Sequence, residues 1–378
     1  MKKEKLIQHR TPFYCYDLKL LNQTLDQAQT HAKKHDYHIH YAMKANTNDR
    51  ILEVIQSKNF GADCVSGNEV KKALEKGFKP NQIAFAGVGK SDEEIEIGLQ
   101  NDIFTFNCES VQEIEIINEL ATKANKVARI ALRLNPNVDA KTHKYITTGL
   151  EENKFGINSW ELEGLLEKLP SLSNIKVTGL HFHIGSQITS MTPFKNLCIR
   201  VNELNQWFLD RGIHIEHLNL GGGLGIDYQN PKENPIPDFE LFFGVFKQFL
   251  EPRVHQEIHF ELGRSLVANC GSLISKVLYI KNGIKTNFAI LDAGMTELIR
   301  PALYQASHSI ENLTSVSSDS EFYDVVGPIC ESSDCFGKKI ELKPTKRGDY
   351  IKIHSTGAYG EVMTSGYNLR EQNPVVFV

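Results

Sequence analysis

Short apolar, β-rich runs recur along the first two thirds of the chain. They cover residues 38–45, 61–66, 82–88, 103–108, 127–135, 177–185, 215–222 and 258–264. Stretches with helical spacing lie between them, at 49–58, 67–76, 92–100, 110–124, 159–169, 192–211 and 238–250. Ser110 stands where an N-cap belongs, with Glu113 as its capping-box partner. Ser159 is a second N-cap candidate without a box, because Leu162 holds the partner position; Glu161 and Glu163 still suit the dipole. Eight strands alternating with helices predict a (β/α)8 TIM-like barrel. A doubly wound open sheet is the alternative. The barrel is preferred because the alternation stops once the count reaches eight.

After about residue 265 the pattern changes. Runs at 273–280, 288–292, 323–326, 340–343 and 350–354 read as strands, with turns at Lys281-Asn282-Gly283 and Arg347-Gly348-Asp349. This predicts a second, mostly β-sheet domain. Residues 11–16 read as one more strand, suited to either domain. The expected division is a barrel over 17–264 and a sheet domain over 265–378 together with 1–16. The fold class is therefore α/β plus β.

Composition narrows the function classes. The 378 residues carry a net charge of −4, with 41% hydrophobic and 23% charged side chains. That is ordinary globular chemistry, and its mildly acidic balance argues against nucleic acid or an anionic membrane as the main partner. No apolar run approaches the roughly 20 residues of a membrane span. The basic start is not followed by an apolar segment, so a secretory signal is not expected and the cytoplasm is. The seven cysteines are scattered without paired Cys-x-x-Cys knuckles. Free thiols are expected rather than structural zinc.

A barrel places its chemistry at the C-terminal ends of the strands. Those ends hold Lys44, Asp63, Arg133, His183–Ser186, Gly221–Gly225 and Glu261–Arg264. Lys44 ends an apolar run. Desolvation favours its neutral amine, which can form a Schiff base with a carbonyl; a lysine leaving the strand into solvent is the plain alternative. Gly221-Gly222-Gly223-Leu224-Gly225 lets backbone N–H groups approach a phosphate, or simply makes a tight turn. It lacks the dinucleotide spacing, since Ile226 occupies the third glycine's place. Gly87-Val88-Gly89-Lys90-Ser91 resembles part of a phosphate-binding loop, but Ala84 stands where the first glycine belongs. His181 and His183 alternate on one strand face, as a metal pair, core residues, or one ring stacked on a planar cofactor. Glu261 and Arg264 flank Gly263 and suit two partners, a protonated ring nitrogen and an anion, or form a local ion pair. Cys330 and Glu331 pair a proton donor with a charge reader, unless Cys330 is only a buried structural thiol. Arg300 and Tyr304 stand one helical turn apart. Tyr359 lies between small residues, in what is otherwise an ordinary turn.

Together these motifs resemble the fold-type III pyridoxal phosphate decarboxylases, the ornithine, diaminopimelate and arginine decarboxylase family, with its alanine racemase-like barrel-plus-sheet fold. The resemblance rests on Tyr41–Asn46, His181–Ser186, Gly221–Gly225, Glu261–Arg264, Asp292–Met295, Ile299–Tyr304, Gly327–Ser332 and Gly357–Gly360. It implies pyridoxal 5′-phosphate on Lys44, with His183 stacked on its ring and Glu261 on its ring nitrogen. Ser186, Gly222, Gly223, Gly263, Arg264 and Tyr359 would hold the cofactor and its phosphate. It further implies that Arg264, Arg300, Tyr304 and Tyr359 border the substrate, that Glu331 reads its distant ammonium, and that Cys330 donates a proton. No metal is implied.

The substrate implied is meso-2,6-diaminopimelate, decarboxylated to L-lysine at the last step of lysine biosynthesis. Within the resemblance, Glu331 after the cysteine rather than an aspartate, together with Arg300, implies a substrate with a distant carboxylate for Arg300 and a distant ammonium for Glu331. The runner-up is a decarboxylase for D-ornithine, D-lysine or carboxynorspermidine. A homodimer sharing its active sites is implied too. Two other readings are a racemase, and a non-catalytic regulator; the second is disfavoured because Lys44, Glu261 and Cys330 all remain. The family's usual proline is Leu262 here, which implies a looser turn. Residues 135–155 are the expected lid.

Overall fold

A computed structural model describes residues 8–138, 154–371 and 373–378. They gather into two compact units. One comprises the described residues of 25–138, 154–225 and 238–263, the other those of 8–24, 226–237, 264–371 and 373–378. Residues 17–24, 226–237 and Arg264, expected in the barrel, thus group with the sheet. Most of the expected lid falls on 139–153 and lies outside the described residues.

The chain opens with β1 (Phe13–Tyr16) and α1 (Leu18–Lys33). The barrel strands follow: β2 (Tyr37–Ala42), β3 (Gly61–Cys64), β4 (Ile83–Phe85), β5 (Thr105–Cys108), β6 (Ala128–Arg133), β7 (Ile175–His181), β8 (His217–Asn219) and β9 (Glu257–Leu262). Each pairs in parallel with the next, and β9 pairs with β2, so the barrel closes as expected. Because all eight strands run the same way, their last residues share one rim. That rim carries Asp63, Arg133, His181 and Glu261.

The strands are shorter than the apolar runs. Residues such as Leu134 and Phe182 are buried by loops beyond the last ladder pair, so apolarity overstates strand length. The helices follow the pattern closely. In α2 (Asp49–Ser57), Ile51, Leu52 and Ile55 form the buried stripe. In α8 (Phe239–Phe249), Phe242, Phe243 and Phe246 pack edge-on against Phe260 of β9 at 5.6, 5.1 and 4.8 Å, geometry that adds to plain area burial.

Two caps differ from expectation. Ser110 accepts from the Glu113 N–H, but the Glu113 carboxylate accepts from the Glu109 N–H at 2.6 Å and pairs with Lys90. The box is therefore only half closed. At the 159–169 helix the cap is Asn158, boxed with Glu161, rather than Ser159, because a 3-10 turn over Ser159–Glu161 precedes the helix proper.

The second unit is an eight-stranded sheet. Its new strands are β10 (Gly271–Asn282), β11 (Asn287–Leu291), β12 (Ile310–Asn312), β13 (Glu321–Val326), β14 (Cys335–Leu342), β15 (Tyr350–Ile353) and β16 (Val375–Phe377). The main order is β12-β15-β10-β11-β13-β14, and β1 lies antiparallel to β10 and parallel to β16. The ambiguous N-terminal strand thus belongs to the sheet. Helix α1, β12 and β16 went unforeseen in the sequence.

Candidate active site

Lys44 sits in a single 3-10 turn, Met43–Ala45, just past β2 rather than on the strand. Its Nζ lies 2.9 Å from Oδ2 of Asp63, which is fully buried. Gly263 makes the approach to this turn possible: a Cβ there would meet those of Ala42 and Ala45 at 3.0 and 3.1 Å. Leu262, in place of the expected proline, is buried and paired in register with Tyr41, so the turn it enters is tied into the ladder.

Glu261 is the most fully engaged group of the rim. Oε1 accepts from the amides of Asn107 at 2.9 Å and Asn219 at 2.7 Å, and Oε2 lies 2.9 Å from Nε2 of His181. Burial opposes its ionisation, but His181 and then Lys44 outweigh that and hold Glu261 well below the usual carboxylate range. Asp63 moves the other way. Burial and then the Glu261 charge push it up to about 6, against Lys44. Asn107 and Asn219 carried no signal in the sequence. Each is one of two polar residues in a short strand, beside Thr105 or His217, and only barrel closure shows that both reach the same carboxylate.

The two histidines do not form a metal pair. His181 ends β7 and is committed to Glu261, while His183 lies beyond the strand and accepts the Gly222 N–H at Nδ1, 3.3 Å away. Burial, with Arg133 and Lys44 nearby, lowers His183 to about 3 and keeps its ring neutral. The glycine loop beside it is cramped. A Cβ on Gly222 would stand 2.0 Å from the Glu261 carbonyl oxygen, and Gly223, at φ +103°, would bring one 2.9 Å from the Gly185 oxygen. Ser186 lies in the loop after His183, partly buried. Lys90, of the phosphate-loop-like stretch, is spent on structure: it ion-pairs with Glu113 at 2.6 Å and donates to the carbonyls of Gly87 and Asn107. Arg133 is likewise bound to Glu109, at 2.5 Å.

The sheet unit carries a second constellation. Nη1 of Arg264 donates to the Tyr228 hydroxyl at 2.7 Å, and its guanidinium stands 4.8 Å from the Tyr359 ring. Arg300 opens a short helix, α10 (Arg300–Tyr304), is buried, and stands 4.8 Å from the other neighbour, the Tyr228 ring. It donates to Nε2 of His308 at 2.9 Å, and His308 Nδ1 donates to the His354 carbonyl. Burial and then Arg300 hold His308 at about 3, so Arg300 leans on neutral groups. No carboxylate ion-pairs with Arg300 among the described residues. Tyr228 and His308 were not singled out in the sequence. Tyr304 is partly buried on the same helix, and Tyr359 keeps a φ of +56°, a strained value for a non-glycine residue.

Cys330 is an exposed free thiol rather than the buried structural one. Glu331, also exposed, accepts from the Tyr367 hydroxyl at 2.7 Å and from Ser333. Their loop is braced by Asp334, which takes the N–H groups of Ile329 and Met295 at 2.7 and 2.6 Å.

The barrel rim suits a flat, anionic, carbonyl-bearing cofactor. It offers an amine, a carboxylate held ionised in a buried place, a neutral imidazole, and backbone N–H groups in a loop too tight for side chains. Residues 18–268 match the family described as pyridoxal-dependent decarboxylase, pyridoxal binding domain. The chain belongs to this family. It is 56% identical over 363 residues to the diaminopimelate decarboxylase of Bacteroides thetaiotaomicron, covering 96% of this chain and 94% of the relative. Among solved structures, the Helicobacter pylori diaminopimelate decarboxylase complexed with L-lysine superposes with a TM-score of 0.93 at 39% identity, covering 99% and 93% of the two chains. The diaminopimelate decarboxylase from m. jannaschii, also with L-lysine, gives 0.91 at 34%, covering 100% and 89%. As a member of the family, this decarboxylase uses pyridoxal phosphate.

Proposed function

We infer that the chain decarboxylates meso-2,6-diaminopimelate to L-lysine and CO2. The observation that carries this reading is Arg300: a buried cation supported by neutral His308 and Tyr228 is a seat for a carboxylate, and a substrate with a second carboxylate supplies one. The relatives named above support the same substrate.

Bound pyridoxal phosphate supplies an electron sink for the pair left behind when CO2 departs. Lys44 would hold it through its amine. His183 would face its ring, and Glu261 would hold its ring nitrogen and favour the protonated form. Ser186, Gly222, Gly223, Gly263, Arg264 and Tyr359 would hold its phosphate. Arg264, Arg300 and Tyr304 would orient the substrate's distant carboxylate, Tyr359 would border the substrate, and Glu331 would take the distant ammonium. Cys330 gives a proton to the carbon that lost CO2. The exposure of Cys330 and Glu331 favours a homodimer in which these two serve the partner copy's site. No described helix is long and apolar enough to cross a membrane, and we place the enzyme in the cytoplasm.

The test is a product assay on the cofactor-loaded enzyme with meso-diaminopimelate, D-ornithine, D-lysine and carboxynorspermidine in parallel. Lysine formed from diaminopimelate, with little CO2 from the rest, is the expected result. CO2 chiefly from a substrate lacking a distant carboxylate would overturn the assignment.

A further inference from the structure

The N-terminal end of the barrel, opposite the catalytic rim, carries a separate cluster. His38 is the second residue of β2, and Glu257 and His259 are the first and third of β9. One donor atom from each lies within 4.8 Å of the other two. His38 and His259 are register partners across the seam where the last strand meets the first, and their rings stack at 4.8 Å. A pocket of about 410 Å³ opens over them, lined also by Asp36, His40 and Phe104.

The hydrogen bonds behind this cluster orient its ring nitrogens. Nδ1 of His40 donates to the Gln82 carbonyl at 3.0 Å, and its Nε2 lies 2.8 Å from Nδ1 of His259. That contact engages Nδ1 of His259 and aims its Nε2 at Oε2 of Glu257, 3.3 Å away. The stacked ring of His38 brings a third donor to the same place. We propose that this place is a divalent transition-metal site, with His38, Glu257 and His259 as ligands.

Two imidazoles and a carboxylate suit zinc and its neighbours rather than calcium or magnesium. The His40–Gln82 relay supplies the outer support that metal-bound imidazoles ordinarily have. The ion would join the first barrel strand to the last, so its effect is to staple the closing seam rather than to take part in decarboxylation.

The test compares zinc content in cofactor-loaded wild type, His38→Ala and Glu257→Gln after exposure to zinc chloride and desalting. Both substituted side chains are exposed, so the variants are expected to fold. Free thiols also take zinc, but equally in all three, so the difference isolates the cluster. The expected result is roughly one more zinc per wild-type chain than in either variant, the three donors being enough to hold one ion. Zinc should also raise the thermal midpoint of the wild type alone, by at least about 2 °C. No bound zinc in the wild type, or equal zinc in all three, would overturn the proposal, for example if a proton shared by His259 and Glu257 is the only cation there.

Discussion

Nε2 of His181 lies 2.9 Å from Oε2 of Glu261, and both groups are buried. Nδ1 of His181 has no hydrogen-bond partner among the described residues, so Nε2 is the ring nitrogen that donates to the carboxylate. With two asparagine amides on the other oxygen, every neighbour of Glu261 donates to it. The barrel thus spends three buried side chains on keeping one carboxylate ionised where burial would protonate it.

Glu261→Gln keeps the size of this group and removes its charge. The proposed proton on the cofactor nitrogen is lost with it. We expect kcat to fall at least about 100-fold, the lower range for a lost acid–base partner. Steady-state lysine formation and a thermal scan check this. A folded variant with near-normal kcat would remove Glu261 from its role.

Arg300→Gln tests the carboxylate seat. Losing a charge-assisted contact worth about 1.5–3 kcal/mol corresponds to roughly 10- to 150-fold in kcat/KM for diaminopimelate. The loss should be much smaller for D-lysine, which lacks the distant carboxylate. Equal losses on both substrates would make Arg300 a structural residue only.

The raised Asp63 makes a pH prediction with a definite sign. Its carboxyl ionises near 3.8 in the unfolded chain and at about 6 when buried beside Glu261. Between those values the folded chain holds the extra proton, so this group's contribution to stability falls as pH rises from about 4 to 6. In the cofactor-free chain, wild type should lose stability relative to Asp63→Asn across that window and run parallel to it above. Urea unfolding at pH 4.5, 6 and 7.5 measures the difference. An unchanged gap would mean that Lys44 keeps Asp63 ionised throughout.

Much of this molecule was legible in the chain, because a parallel barrel buries both faces of each strand. Runs such as Ile258–Leu262 therefore stay apolar except where a polar residue has a task, and Glu261 stands out. The rim residues Lys44, His183 and Glu261 were found because strand ends can be read one at a time. Asn107 and Asn219 were not, since their role exists only once β5, β8 and β9 face a common interior. Strand ends were overrun for a related reason: loops such as the one holding His183 bury apolar neighbours without forming a ladder. In the sheet unit, Tyr228 lies far along the chain from Arg264 and Arg300, and no local pattern joins them.

The glycine loop offers the last test. Gly222 passes so close to β9 that an added Cβ would stand 2.0 Å from the Glu261 carbonyl oxygen, and 3.1 Å from its carbonyl carbon. Both are backbone atoms, so no side chain can swing aside. Gly222→Ala must displace either the loop or the strand that carries Glu261. Overpacking of this kind costs about 1–3 kcal/mol, visible as a lower urea midpoint. The displacement also moves the N–H that Gly222 gives to His183. Cofactor affinity should therefore fall along with stability. A Gly89→Ala control, where nothing stands within 4 Å of the added carbon, should leave cofactor affinity unchanged. Wild-type cofactor affinity in Gly222→Ala would show that the loop shapes the barrel without touching the phosphate.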